Sequence, residues 1–271
     1  MVCRKPQRTP ASYLAAIKEE NLVKVATRDR RDSKTFEISK LENSGFFIGL
    51  ANTYVHSQLF DEGIQLFEEM QKKGSDESTM LNDYGGSLLF RMLSRQSFNK
   101  SDLDLARKLI FGAYDFDKRV ASNPYDYPAY KNLCFLRAVE AHFYYNQMDF
   151  FAAFVLGWMS IEMTITRIWH KFLALKAVNG KPLRNFNIYS IIKTLNSSYI
   201  DDKLKVTKKD LEDFKKEVND LEYLREKVRN KLLHGDMDNP SSDQALKCLK
   251  IAASLWMLFQ SVDQDIKSMT S

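Results

Sequence analysis

The stretch FFAAFVLGWMSIEMTITRIWHKF, residues 150–172, decides the fold class. Phe154, Trp158, Ile161, Ile165, Ile168 and Phe172 recur at helical spacing and share one face of an α-helix for about five turns. The apolar run 150–163 is the longest in the chain, and Glu162 interrupts it near its end. A membrane span needs about 18 apolar residues or more, so this stretch reads as a core helix of a water-soluble protein.

Composition points the same way. With ten Gly and six Pro in 271 residues, and abundant Leu, Lys, Glu and Ala, helices are favoured over sheets. Cys3, Cys134 and Cys248 lie far apart and form no CxxC pair, so neither a disulfide framework nor a zinc site is expected. Cys134 and Cys248 are expected as buried, reduced thiols, in keeping with a cytoplasmic setting. The opening residues MVCRKPQRTPASYLAAIKEEN carry charges and no apolar core, unlike a secretory signal. Residues 1–40 form a basic segment. Within residues 1–31, Arg4, Lys5, Arg8, Lys18, Lys24, Arg28, Arg30 and Arg31 stand against Glu19, Glu20 and Asp29, which accounts for the whole net charge of +5. Such a segment suits phosphate contacts and equally suits a solvated arm.

Towards the N-terminus, residues 41–147 show paired helical periodicity. SGFFIGLANTYVHSQ and DEGIQLFEEMQKK read as two helices with Leu59 and Phe60 between them. Phe47, Leu50, Ala51 and Tyr54 line one face of the first; Gly63, Phe67 and Met70 line the second. One period of 34 residues further on, Leu81, Tyr84, Gly85 and Leu88 repeat the first set. The insertion SRQSFNKS then delays a partner helix carrying Ala106, Ile110 and Ala113. After the turn opener Asn123-Pro124, Tyr130, Leu133, Cys134 and Arg137 take the same places again. This spacing resembles the tetratricopeptide repeat. The resemblance implies stacked helical hairpins and a concave face for a protein or RNA partner.

Towards the C-terminus, the turn residues Asn179-Gly180-Lys181-Pro182 end the first long helix. A short helix over 186–195, a long charged helix over 208–234 and a last helix over 243–267 follow. Asn239-Pro240-Ser241 supply cap residues for the last of these. On a helical wheel Phe214, Val218, Leu221, Val228 and Leu232 fall within about 80°. Arg225 lies inside that arc and Arg229 just beyond its edge. A buried guanidinium is costly, so a carboxylate, water in a cleft or an anionic ligand must compensate it.

The long helix closes on RNKLLHG, residues 229–235. Arg229, Asn230 and His234, placed at the end of a penultimate helix with an apolar helix following, resemble the Arg-x-x-x-x-His motif of the HEPN family. WMSIEM, residues 158–163, resembles the first HEPN helix, in which an acidic residue is common. The resemblance covers residues 148–271 and implies an all-α bundle of four or five helices. It also implies a symmetric homodimer with paired motifs facing one cleft, and RNA as substrate. Within it Arg229, His234 and Asn230 are the candidate catalytic residues, and Glu162 and Arg225 the supporting ones.

Elementary chemistry fits that assignment. Gly235 reads as a left-handed cap, and the dipole at a helix C-terminus favours a cation. Histidine can trade a proton near neutral pH, and arginine offers fixed donors matched to a phosphate. RNA brings its own nucleophile, the 2′-OH, so cleavage needs proton transfer and charge stabilisation; no metal or cofactor is expected. Residues five apart differ by about 140° on a helix, so either the last turn unwinds or a dimer completes the pocket.

Three plainer roles stand beside these: a carbonyl-capping role for His234, an internal ion pair of Arg229 with Glu162 or another acid, and structural places for His56, His142 and His170. The sequence contains no GxxxxGK[ST], GxSxG or HExxH. The expected function is a metal-independent endoribonuclease. The rival is a non-catalytic module for RNA binding, protein interaction or dimerisation. A place in a toxin–antitoxin or defence pair is compatible with the resemblance.

Overall fold

Helices account for all the regular structure among the described residues of the computed structural model, which are 44–120, 125, 127–174 and 220–269. The basic segment 1–40, the 179–182 turn, the 186–195 helix and the start of the charged helix with Phe214 and Val218 lie outside them. The chain divides into two compact units, 1–116 and 117–271. The sequence places a boundary at 147/148, after its third repeat helix.

In the first unit, α1 (Ser44–His56) and α2 (Phe60–Lys72) form a hairpin, followed by α3 (Ser78–Arg95) and by α4 (Lys100–Val120), whose last turn lies past the boundary at 116. Phe60 is the first residue of α2 and is buried, where the sequence leaves it in the connection. Asp61 and Glu62 in the first turn of α2 and Lys72 in the last complement its dipole. Close backbone approach sets the packing. A Cβ on Gly63 would stand 2.8 Å from the Ala51 carbonyl oxygen and 2.8 Å from Val55 Cγ2. On Gly85 it would meet Ile110 Cγ1 at 2.6 Å and the Ala106 carbonyl oxygen at 3.2 Å. The small positions of the periodic pattern are thus where paired helices touch. α1 packs against both α2 and α3, and α2 against α3. Phe67 stacks on Tyr84 at 5.6 Å between ring centroids, and Asn52 Nδ2 donates to Asp83 Oδ2 at 2.6 Å.

The second unit is built from α5 (Pro128–Asn146), α6 (Phe150–Ala174), a π-helical turn (Arg225–Arg229) running into α7 (Asn230–His234), and α8 (Ser242–Met269). α5 opens with Pro128 in its first turn, behind an extended Tyr127. Asp149 caps α6, its Oδ1 accepting from the Ala152 N–H at 2.9 Å. Ser241 and Gln244 cap α8 reciprocally: the Ser241 N–H donates to Gln244 Oε1 at 2.8 Å and the Gln244 N–H to Ser241 Oγ at 3.2 Å. α5, α6 and α8 pack on one another. Phe154, Trp158, Ile161 and Ile165 of the opening stripe are buried, as are Leu136 and Val139 of α5 and Cys248 and Ala252 of α8. Tyr130, Leu133 and Cys134, the third repeat set, belong to this core, while Arg137 pairs with the fully buried Glu140 at 2.6 Å. Cys134 and Cys248 are buried free thiols; burial pushes the Cys134 thiol up to about 12 and raises that of Cys248 as well. Neither is a nucleophile at neutral pH. No helix among the described residues is long and apolar enough to cross a membrane.

Candidate functional site

The RNKLLHG segment sits where the charged helix changes gauge. Residues 220–224 are α-helical, Arg225–Arg229 widen into a π turn closed by the Asn230 N–H donating to the Arg225 carbonyl, and α7 resumes regular geometry. Such turns fit one extra residue into a helix and recur at functional sites. Leu221, Leu224 and Val228 keep the buried face. Leu232, which the regular wheel assigns to that face, is only half-buried, and no residue of α7 is buried. The wheel also puts Arg225 within the apolar arc. Instead its guanidinium reaches Glu226 Oε1 at 3.3 Å, while its Nε is buried without a hydrogen-bond partner among the described residues.

Arg229 points towards α6. Its Nη2 lies 3.5 Å from Glu162 Oε1, and its Nη1 donates to Asn230 Oδ1 at 3.1 Å. The same Glu162 oxygen accepts the indole N–H of Trp158, one turn earlier on α6, at 2.6 Å. The carboxylate is therefore fixed by a buried aromatic and faces the guanidinium from a set position. Both charged side chains stay about a third exposed, at 37% and 33%. Water screens a pair of that exposure, so it orients more than it stabilises, contributing ~0.2–1 kcal/mol. The expected ion pair of Arg229 with Glu162 is present, and one edge of the guanidinium remains open to solvent.

His234 is the exposed last residue of α7. Gly235 takes the left-handed conformation, φ 75°, and the Asp236 N–H donates to the Lys231 carbonyl at 2.8 Å, closing the helix as the sequence predicts. Among the described residues His234 makes no hydrogen bond or ion pair, so it does not serve as a carbonyl cap. α7 is α-helical from Asn230 through His234. The last turn does not unwind, and Arg229 and His234 diverge by about 140° around the helix.

Trp158 is the residue that sequence reasoning assigns to the core alone. Its i,i+4 spacing to Glu162 was the available signal for its second task. An ion-pair cluster in the first unit also went unread: Arg91 bonds Asp61 at 3.1 Å and Asp102 at 2.5 Å, and Arg95 bonds Asp61 at 2.7 Å. Of the other histidines, His56 is exposed at the end of α1. His170 stacks on Tyr125 at 4.2 Å, and burial lowers the pKa of His142. No group of three or more His, Cys, Asp or Glu side chains among the described residues is arranged to hold a metal ion. No protein-family model, curated protein or solved structure matches the chain.

Proposed function

We propose that the chain is an endoribonuclease of HEPN type, acting on RNA through Arg229 and His234. The observation that carries this reading is a guanidinium about a third exposed, aimed by the Trp158–Glu162 pair, on the same helix end as an exposed imidazole without a partner among the described residues. In the proposed step His234 takes the proton of a ribose 2′-OH while that oxygen attacks phosphorus. The P–O2′ bond forms, the P–O5′ bond breaks, and the leaving 5′ oxygen is protonated by solvent. The products are a 2′,3′-cyclic phosphate and a 5′-hydroxyl. Arg229 neutralises the phosphorane as charge gathers on its oxygens. Asn230 and Glu162 hold the guanidinium, and the step requires no metal.

The divergence of Arg229 and His234 supports a homodimer through residues 148–271, in which each cleft takes one of the two from each copy. Exposed apolar side chains on α6, Phe151 at 45% and Met159 at 37%, with Met148 at 77% in the connection before it, are consistent with a covered face there. The same side chains favour the second reading, a non-catalytic interaction module. The tetratricopeptide-like character of the first unit is supported by the paired small positions Ala51–Gly63 and Gly85–Ala106, and that unit is proposed to bind a protein partner or substrate. The deciding experiment incubates the purified chain and its His234→Ala variant with RNA in EDTA. Cleavage by the first and none by the second supports the nuclease; dimers that leave RNA intact support the module.

A further inference from the structure

The first unit contains a cavity of about 230 Å³ where α3 ends and α4 begins, lined by Arg91, Met92, Arg95, Ser97, Asn99 and Asp102. Local hydrogen bonds set its walls. Gln96 takes the left-handed conformation after α3, φ 49°, and the Ser97 N–H donates to the Met92 carbonyl at 3.0 Å. Asn99 caps α4: its Oδ1 accepts from the Asp102 N–H at 2.7 Å, and its Nδ2 donates to Asp102 Oδ2 at 2.8 Å. That same Asp102 oxygen accepts from Arg91 Nη2 at 2.5 Å, which holds the guanidinium by one edge. The other edge of Arg91, together with Arg95, is taken up by a single carboxylate from α2. Asp61 Oδ1 accepts from Arg91 Nη1 at 3.1 Å and from Arg95 Nη1 at 3.2 Å, and Asp61 Oδ2 from Arg95 Nη2 at 2.7 Å. Three N–H donors from two guanidiniums therefore converge on one anion. Yet the Asp61 side chain is 59% exposed and that of Arg95 49%. Water screens a pair of that exposure, and little is lost when it opens. Arg91 is more enclosed, at 20%, and keeps Asp102 when Asp61 leaves.

We propose that this cavity binds a small phosphate monoester, whose oxygens take the place of the Asp61 carboxylate on Arg91 and Arg95. Guanidinium forks match phosphate oxygens as they match those of a carboxylate. A monoester brings about −1.5 to −2 charge at neutral pH, where Asp61 brings one, so it competes well for the same donors. With Asp61 displaced, the lining carries two cations, Arg91 and Arg95, against one acid, Asp102, and Asp102 is already occupied by Arg91 and Asn99. A dianion suits that balance better than a neutral or cationic guest. Volume bounds the guest as well. Sites for drug-sized ligands run to roughly 300–1,000 Å³, so this smaller cavity takes a compact molecule. Because the walls are held by bonds within the chain, the donors stand ready before the guest arrives, and less freedom is lost on binding. The proposal is independent of RNA cleavage at Arg229 and His234, and either can fail without the other.

The test titrates the full-length chain with inorganic phosphate at constant ionic strength and reads binding from the broadening of the phosphorus NMR signal, with acetate as competitor. The wild-type chain should broaden the signal saturably. Arg95→Gln should weaken binding about tenfold or more, the scale of one charge-assisted hydrogen bond. Asp61→Asn should tighten it about fivefold, the scale of an exposed pair that no longer competes. A cluster that only braces helices would show no such gain. Asp61 and Arg95 are exposed, so both variants keep the fold, which circular dichroism verifies. Equal binding by wild type and Arg95→Gln overturns the proposal, since the phosphate then sits elsewhere on the chain. An Asp61→Asn variant that binds no tighter than wild type overturns it too, as does the absence of saturable broadening. Acetate that displaces phosphate at equal concentration also overturns it, because the cavity then has no preference for the dianion.

Discussion

One oxygen, Glu162 Oε1, takes the Trp158 indole N–H at 2.6 Å and faces Arg229 Nη2 at 3.5 Å, and this ranks the residues of the site. Arg229 and His234 meet the reacting phosphate in the proposed step, so Arg229→Ala or His234→Ala should each lower RNA cleavage by ~10²-fold or more. The double variant should lose much less than the product, because the two act as a unit. Glu162→Gln keeps an oxygen acceptor for the indole and removes only the charge that aims Arg229, so single-turnover rates should fall less than with either of the other two. A loss equal to that of Arg229→Ala would move Glu162 from positioning into the chemistry. His142 yields a prediction about stability. Burial lowers its pKa below 6.5, so in the window beneath 6.5 the unfolded chain binds more protons than the folded one. The stability it contributes is fully present above that window and is lost as pH falls through its folded value. Acid titration of the melting temperature should show the loss, and His142→Gln should flatten it.

At the scale of elements, glycine marks where helices touch. Gly63→Ala drives a Cβ to 2.8 Å from a backbone oxygen, which cannot yield as a side-chain tip does, and should cost the chain ~1–3 kcal/mol. Gly112 on α4 meets only Leu81 Cδ1, at 3.7 Å, so Gly112→Ala should stabilise by about 0.5–1 kcal/mol through helix propensity. Chemical denaturation of the two variants should move in opposite directions. These elements were legible because their signals are local: helical spacing for α1 to α6, Ser241 for the cap of α8, and Gly235 for the end of α7. The π turn was not legible, since a wheel at fixed pitch has no place for an extra residue. Its trace in the sequence was the awkward position of Arg225 on an apolar arc. The widened turn resolves that conflict by letting the guanidinium reach Glu226. Phe60 was misread for a related reason: the connection before α2 is shorter than the gap in polar periodicity, and its buried ring belongs to the helix.

At the scale of the whole molecule, α5 carries a repeat-like pattern and yet packs with α6 and α8, because spacing fixes which face of a helix is apolar and says nothing of which neighbour covers it. The same limit applies to the site. Sequence supplied Arg229, Glu162 and His234, and the pairing of the first two is present in the fold. What lies opposite His234 depends on geometry beyond one helix. α7 stays regular through His234, so the imidazole and the guanidinium leave the helix about 140° apart. A cleft that uses both from a single copy would need the helix end to unwind. A two-fold axis supplies the missing group without that cost. Mixing inactive variants separates the two arrangements. If each cleft takes Arg229 from one copy and His234 from the other, an Arg229→Ala/His234→Ala heterodimer contains one intact cleft and one lacking both residues. Random exchange makes half of the dimers mixed, so an equimolar mixture should recover about a quarter of wild-type cleavage. The recovery should grow at the rate of subunit exchange and should be absent from either variant alone. If both residues of a cleft come from one copy, every cleft in the mixture lacks one of them and no activity returns. Sedimentation of the same mixture keeps that outcome interpretable, since dimers without recovery reject the shared cleft and monomers without recovery reject the dimer itself.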